Sequence, residues 1–140
     1  MSASLVVGCD GTPGARAALD EAVRLAKEVG GSIVAAYAYD KILSGGELRD
    51  LDQAVEERGN ALLAEAREFV QGAGLECALE FIEGKPAQVL VSVADQYDAR
   101  FIVVGSYGER PLKGALLGST PYKLLHLSER PVIVVRIPES

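Results

Sequence analysis

Short apolar runs that do not alternate with polar residues, each followed by a stretch of helical periodicity, recur along this chain and constrain its fold more than any other feature. Leu5, Val6 and Val7 lead into the turn Gly8-Cys9-Asp10-Gly11-Thr12-Pro13-Gly14. An unbroken apolar run is what a strand buried on both faces requires. Thr12 is suited to cap a helix with Pro13 at its first position, and Leu19, Ala22, Val23, Ala26 and Val29 recur at helical spacing until Gly30 and Gly31 close it. The pattern then repeats.

A second strand is expected over Ser32 to Tyr39. A long helix follows from Glu47, with Leu48, Leu51, Val55, Leu62, Ala66 and Phe69 on one face, ending near Gly72 and Gly74. Leu75 to Ile82 differs, because Glu76 and Glu80 alternate with apolar neighbours, the mark of a sheet edge. Pro86 opens another helix with Val89, Leu90, Val93 and Tyr97 inward. Phe101 to Val104 reads as a fourth strand, Pro121 to Leu127 as the last helix, and Pro131 to Ile137 as the last strand. Strands alternating with helices imply parallel neighbours joined by right-handed crossovers. The expected fold is α/β: one doubly wound, five-stranded parallel sheet sandwiched by four helices.

The chain's 140 residues are close to the roughly 150 of one domain, and its 49% apolar and 24% charged residues are those of a self-sufficient globular core. Residues 1–140 are therefore read as one domain. Met1 to Ser4 carry no basic stretch and precede no long apolar segment, so neither a signal peptide nor a membrane span is expected. Cys9 and Cys77 are far apart and form no metal or disulfide spacing, which fits a reducing cytoplasm. A net charge of −6 with scattered basic residues argues against nucleic acid as a partner.

In doubly wound sheets, ligands bind beyond the carboxyl ends of the strands where the strand order reverses. The segments to search are Gly8 to Gly14, Tyr37 to Lys41, Gly84, and Gly105 to Thr120. The last begins Gly105-Ser106-Tyr107-Gly108 and, nine residues on, reaches Gly118-Ser119-Thr120. Glycines allow backbone N–H groups to approach a bulky anion, and the following helix offers unpaired N–H groups at the positive end of its dipole. Taken alone, glycines in a loop are more often turn residues than ligand contacts.

Gly105, Gly108, Gly118 and Ser119 match the pattern Gly-x2-Gly-x9-Gly-Ser/Thr, and in these residues the chain resembles the ATP-binding members of the universal stress protein family. The resemblance extends to Val6-Val7-Gly8-Cys9-Asp10-Gly11, to Gly84-Lys85-Pro86-Ala87 and to Arg130-Pro131-Val132-Ile133-Val134-Val135. It implies a Rossmann-like sheet of the adenine nucleotide alpha hydrolase type. It further implies an ATP site in which Gly105, Gly108, Gly118, Ser119 and Thr120 meet phosphates and ribose. Gly8 and Cys9 would be backbone neighbours of the nucleotide, and the main chain of Ala38 would read the adenine edge. Asp10 would bond the ribose or help hold Mg²⁺ against the phosphates. Its alternative is a turn residue capping the first helix.

No Gly-x4-Gly-Lys-Ser/Thr and no Gly-x-Gly-x2-Gly occurs, which removes the usual signatures of P-loop enzymes and dinucleotide-binding domains. His126, the sole histidine, rules out a histidine-based metal cluster and reads as a solvated helix residue. Cys9 reads as a small buried apolar residue. The leading expectation is an ATP-binding stress-response module, with at most slow hydrolysis, acting through an unidentified protein partner. The alternatives are a weak ATPase, a cyclic-AMP binder, and a stress protein that works through protein contacts without nucleotide. The apolar Val132 to Ile137 is expected to be an edge strand that pairs two copies into a homodimer.

Overall fold

The computed structural model describes residues 3–39, 49–106 and 117–137, with the side chains of 49–52 excepted. In chain order the elements are β1 Ser4–Gly8, α1 Pro13–Val29, β2 Ser32–Tyr39, α2 Arg49–Gly72, β3 Cys77–Glu83, α3 Pro86–Tyr97, β4 Phe101–Gly105, α4 Ser119–Leu127 and β5 Val132–Val135. The expected start of the second helix at Glu47 and Leu48 lies outside the described residues.

The strands form one parallel sheet in the order β3-β2-β1-β4-β5. Its centre is the most apolar part of the chain: Val6 pairs with Val34 on one side and Ile102 on the other. Because successive side chains point to opposite faces, each central strand feeds two cores. Leu5, Val7, Ile33, Ala35 and Val103 pack under α1 and α2, while Val6, Val34, Ala36, Ile102 and Val104 pack under α3 and α4. Each large apolar side chain so buried contributes about 1.5–3 kcal/mol. This double burial is why these runs show no polar alternation.

The edges are the two strands with the most distinctive sequences. β3 presents Cys77, Leu79 and Phe81 to the α1/α2 layer, with Leu75 packed there just before the strand, and Glu80 on the other face accepts a 2.7 Å hydrogen bond from the Tyr97 hydroxyl. Tyr97 is thus half-buried and does not sit fully inward, because its ring is tied to that edge carboxylate. At the opposite edge, β5 is shorter than expected, and all of its residues are half-exposed. Arg130 fastens its start: Nε donates to the Ala99 carbonyl at 2.8 Å, and the remaining nitrogens meet Asp95 and Asp98.

The helix ends explain the directions of the connections. Thr12 caps α1, its hydroxyl accepting from the Ala15 N–H at 3.2 Å, and Gly30, at φ 71°, ends the helix in the left-handed conformation. α4 begins at Ser119, earlier than expected, so Pro121 is its third residue. A proline there removes an N–H that has no intrahelical partner anyway. Among the described residues, no helix is long and apolar enough to cross a membrane.

Candidate functional site

β1 leads through α1 to β2 on one side of the sheet, whereas β4 lies on the other side of β1, so strand order reverses between β1 and β4. At the carboxyl ends of these strands is a crevice of about 110 Å³. β1 supplies Gly8, β2 supplies Ala36 and Ala38, and β4 supplies Val104 and Gly105. The starts of three helices complete it: Thr12 and Ala15 from the α1 end, Pro86 and Leu90 from α3, and Ser119, Thr120 and Pro121 from α4.

Small residues make this opening. A Cβ on Gly8 would lie 3.4 Å from Leu90 Cδ1 and narrow the wall between β1 and α3. Gly105 has a different reason to be glycine, since a Cβ there would stand 2.5–2.7 Å from the backbone of Gly14. It lets α1 seat against β4, a packing demand separate from any ligand.

Asp10 is exposed, and its Oδ1 accepts from the Thr12 N–H at 3.0 Å and the Thr12 hydroxyl at 2.5 Å. The carboxylate therefore orders the turn before α1 by holding Thr12, and Thr12 rather than Asp10 caps the helix. Asp10 also lines the crevice. Among the described residues, no group of three or more His, Cys, Asp or Glu side chains forms a metal cluster.

Cys9 lines the crevice too, yet it is only 8% exposed and its side chain belongs to the α1/α2 core. Burial, and then the Cys77 thiol and the Asp10 carboxylate, push its pKa up to about 12. A thiol so raised is a poor nucleophile.

The three helix starts at the crevice are not alike, and α3, entered after Lys85, has no side-chain cap. α1 is capped by Thr12, but α4 begins at Gly118 with no side-chain cap. The Gly118 N–H donates to the Ser106 carbonyl at 2.6 Å, and the Tyr122 N–H returns to the Gly118 carbonyl at 3.2 Å. The intervening first turn is the positive end of the helix dipole, and it carries hydroxyls at Ser119 and Thr120. Gly118, at φ −73°, has a backbone that any residue adopts. No basic side chain of the described residues lines the crevice.

Of the residues singled out from sequence, Gly8, Cys9, Asp10, Ala38, Gly105, Ser119 and Thr120 meet at this crevice, with Gly118 as the adjoining cap. Gly108 lies outside the described residues. Sequence reasoning missed Ala36, Leu90 and Val104, whose apolar signal is indistinguishable from that of core. Pro86 and Thr12, which lie in the segments Gly84 to Ala87 and Gly8 to Gly14 singled out above, also line the crevice. His126 is exposed, with its ring 4.9 Å from that of Tyr122.

The fold and crevice define a doubly wound, Rossmann-like α/β protein with a small-residue cleft at its topological switch point. The sequence model of the universal stress protein family matches residues 1–136, and the chain belongs to that family. It is similar to the universal stress protein YxiE of Bacillus subtilis, with 31% identity over 94% of this chain and 97% of the relative. Its fold is similar to that of the hypothetical protein MJ0577, with a TM-score of 0.88 at 22% identity, covering 100% of this chain and 99% of the other. It is also similar to a universal stress protein solved in complex with cAMP, with a TM-score of 0.75 at 28% identity, covering 96% and 97% of the two chains.

Proposed function

We propose that this chain is an adenine-nucleotide-binding regulatory module of the cytoplasm that takes ATP with Mg²⁺ and changes its contacts with a protein partner when occupied. The observation that carries this reading is the uncapped start of α4, which opens on the same crevice as the small apolar walls of β1 and β2. Small side chains at Ala36 and Ala38 leave room for a flat apolar ring, and hydroxyls and helix N–H groups across the crevice suit phosphate. The relative solved with cAMP supports an adenine nucleotide as the ligand class.

At about 110 Å³ the crevice is smaller than the roughly 300 Å³ at which drug-sized pockets begin, so it takes part of the nucleotide and leaves the rest toward solvent. Gly8 and Cys9 would pass their backbone along the nucleotide, and Ala38 would offer main-chain groups to the adenine edge. Gly105, Gly108, Gly118, Ser119 and Thr120 would surround phosphates and ribose. Among the described residues no basic side chain lines the crevice to offset the Asp10 carboxylate against an anion. Mg²⁺ held between Asp10 and the phosphates would remove that repulsion, since Mg²⁺ typically takes one or two carboxylates plus phosphate oxygens.

Calorimetry with ATP, ADP and cAMP on ligand-stripped protein, with and without Mg²⁺, tests the reading. ATP is expected to bind more weakly when Mg²⁺ is chelated. Asp10→Asn keeps an oxygen for the Thr12 cap, so folding is expected to survive while most of the Mg²⁺ dependence disappears. Binding of cAMP in preference to ATP would transfer the site to the cyclic-nucleotide alternative. Absence of binding by all three at millimolar concentration would leave only the family and the fold.

The same reading includes a homodimer through the β5 edge. Support comes from its half-exposed apolar residues and from Tyr122 and Leu125 of α4, which are 58% and 59% exposed.

A further inference from the structure

We propose that the cavity between α1 and α2 is a second binding site, separate from the crevice, and that it takes a free apolar α-amino acid. The cavity measures about 300 Å³, against about 110 Å³ for the crevice, and so reaches the roughly 300 Å³ at which small-molecule pockets begin. The β1–α1 turn lies between the two, which is why Cys9, Thr12 and Ala15 line both. This site does not rest on the nucleotide reading.

Helical spacing builds its apolar walls. Ala15 and Leu19 stand one turn apart on α1, and Leu62 and Ala66 one turn apart on α2, so each helix turns a short apolar stripe to the gap. Cys9, Leu19 and Ala66 are buried and form the inner wall, while Leu62 is half-buried. Gly11 closes one end. At φ 81° it brings the turn against α2, where a Cβ would lie 3.1 Å from Leu62 Cδ1.

Arg16 and Glu65 give the cavity its only charged side chains among the described residues, one from each helix, and both are exposed. The Arg16 guanidinium lies 5.1 Å from the centre of the Phe69 ring, and Glu65 stands one turn before Phe69 on the same side of α2. The opposite charges are therefore neighbours, yet they are not joined: the ion pairs among the described residues run from Arg130 to Asp95 and Asp98. A ligand matched to the whole site has an apolar body with a negative and a positive group side by side. A plain carboxylate would suit Arg16 but face Glu65, and a plain amine would meet the reverse. An apolar amino acid satisfies all three walls, with its carboxylate on the guanidinium fork, its ammonium on Glu65 and its side chain against Leu19, Leu62 and Ala66.

Calorimetry with leucine and phenylalanine on the full chain, as wild type, Arg16→Gln and Glu65→Gln, tests the site. Both substitutions change exposed side chains, so folding is expected to be retained, which circular dichroism checks. Wild type is expected to bind at least one of the two amino acids at millimolar concentration or below. Each variant is expected to raise that dissociation constant about tenfold or more, the scale of one hydrogen bond to a charged group. Leucinamide, which lacks the carboxylate, and 4-methylpentanoate, which lacks the ammonium, should both bind wild type more weakly than leucine. These analogues need no variant, so the test stays decisive if a substitution disturbs folding. Absence of binding by both amino acids would overturn the proposal, as would wild-type affinity in Arg16→Gln and Glu65→Gln. Tighter binding of 4-methylpentanoate than of leucine would also overturn it, in favour of a monocarboxylate. None of these readouts involves ATP, so this site and the crevice fail separately.

Discussion

Cys9 and Gly105 stand at the same crevice, but the surrounding protein explains each of them. The Cys9 thiol has an ordinary pKa of 9.0 that the fold raises to about 12, with burial as the largest cause. The neutral thiol is thus favoured in the folded state. Its contribution to stability is complete below pH 9 and is lost as pH rises toward about 12. Denaturant titrations should show stability falling over that window, and less steeply in Cys9→Ala. For Gly105, alanine would press a methyl against the Gly14 backbone, and α1 would have to move away from β4. Gly105→Ala is expected to cost about 1–3 kcal/mol of folding stability, measured by urea unfolding without any ligand.

At the scale of elements, the contrast between α1 and α4 separates stability from function. The start of α1 is protected by Thr12 and Asp10, so it has little left to offer an anion. α4 has no such side chain. Gly118→Asp supplies one in an allowed backbone conformation, and it should raise the stability of the empty protein by a few tenths of a kcal/mol. The same carboxylate would sit where phosphate is proposed to bind. ATP affinity measured by calorimetry is therefore expected to fall at least tenfold, opposite in sign to the stability change. A parallel gain or loss in both quantities would detach the helix start from nucleotide binding.

The whole molecule has two unequal sheet edges. On β3 the edge is managed by Glu80, held by Tyr97, and by the exposed Glu76. On β5 it is apolar, with Val132 and Val134 against one core and Ile133 and Val135 against the other. Two copies pairing these edges would give unpaired backbone groups partners and cover the apolar residues. Light scattering at high micromolar concentration is expected to give twice the monomer mass for wild type. Ile133→Lys is expected to shift it toward monomer with helical content retained by circular dichroism. A wild-type monomer at that concentration would end the dimer proposal.

The strand and helix sequence, the parallel sheet and its edge at β3 were legible in the residues, because double burial leaves unbroken apolar runs and a wet edge leaves alternation. The glycine spacing likewise ends at Gly118, the residue that precedes α4. What the chain could not reveal by itself was which residues play double roles. Ala36, Leu90 and Val104 have the same apolar signature whether they fill a core or wall a crevice, and only the reversal of strand order between β1 and β4 exposes their tops. At Gly105 the motif spacing is legible in the sequence, whereas the packing demand of α1 against it belongs to the tertiary structure. The burial of Ser106 and its unpartnered hydroxyl belong likewise to the tertiary structure, because whether a hydroxyl lacks a partner depends on every element packed around it.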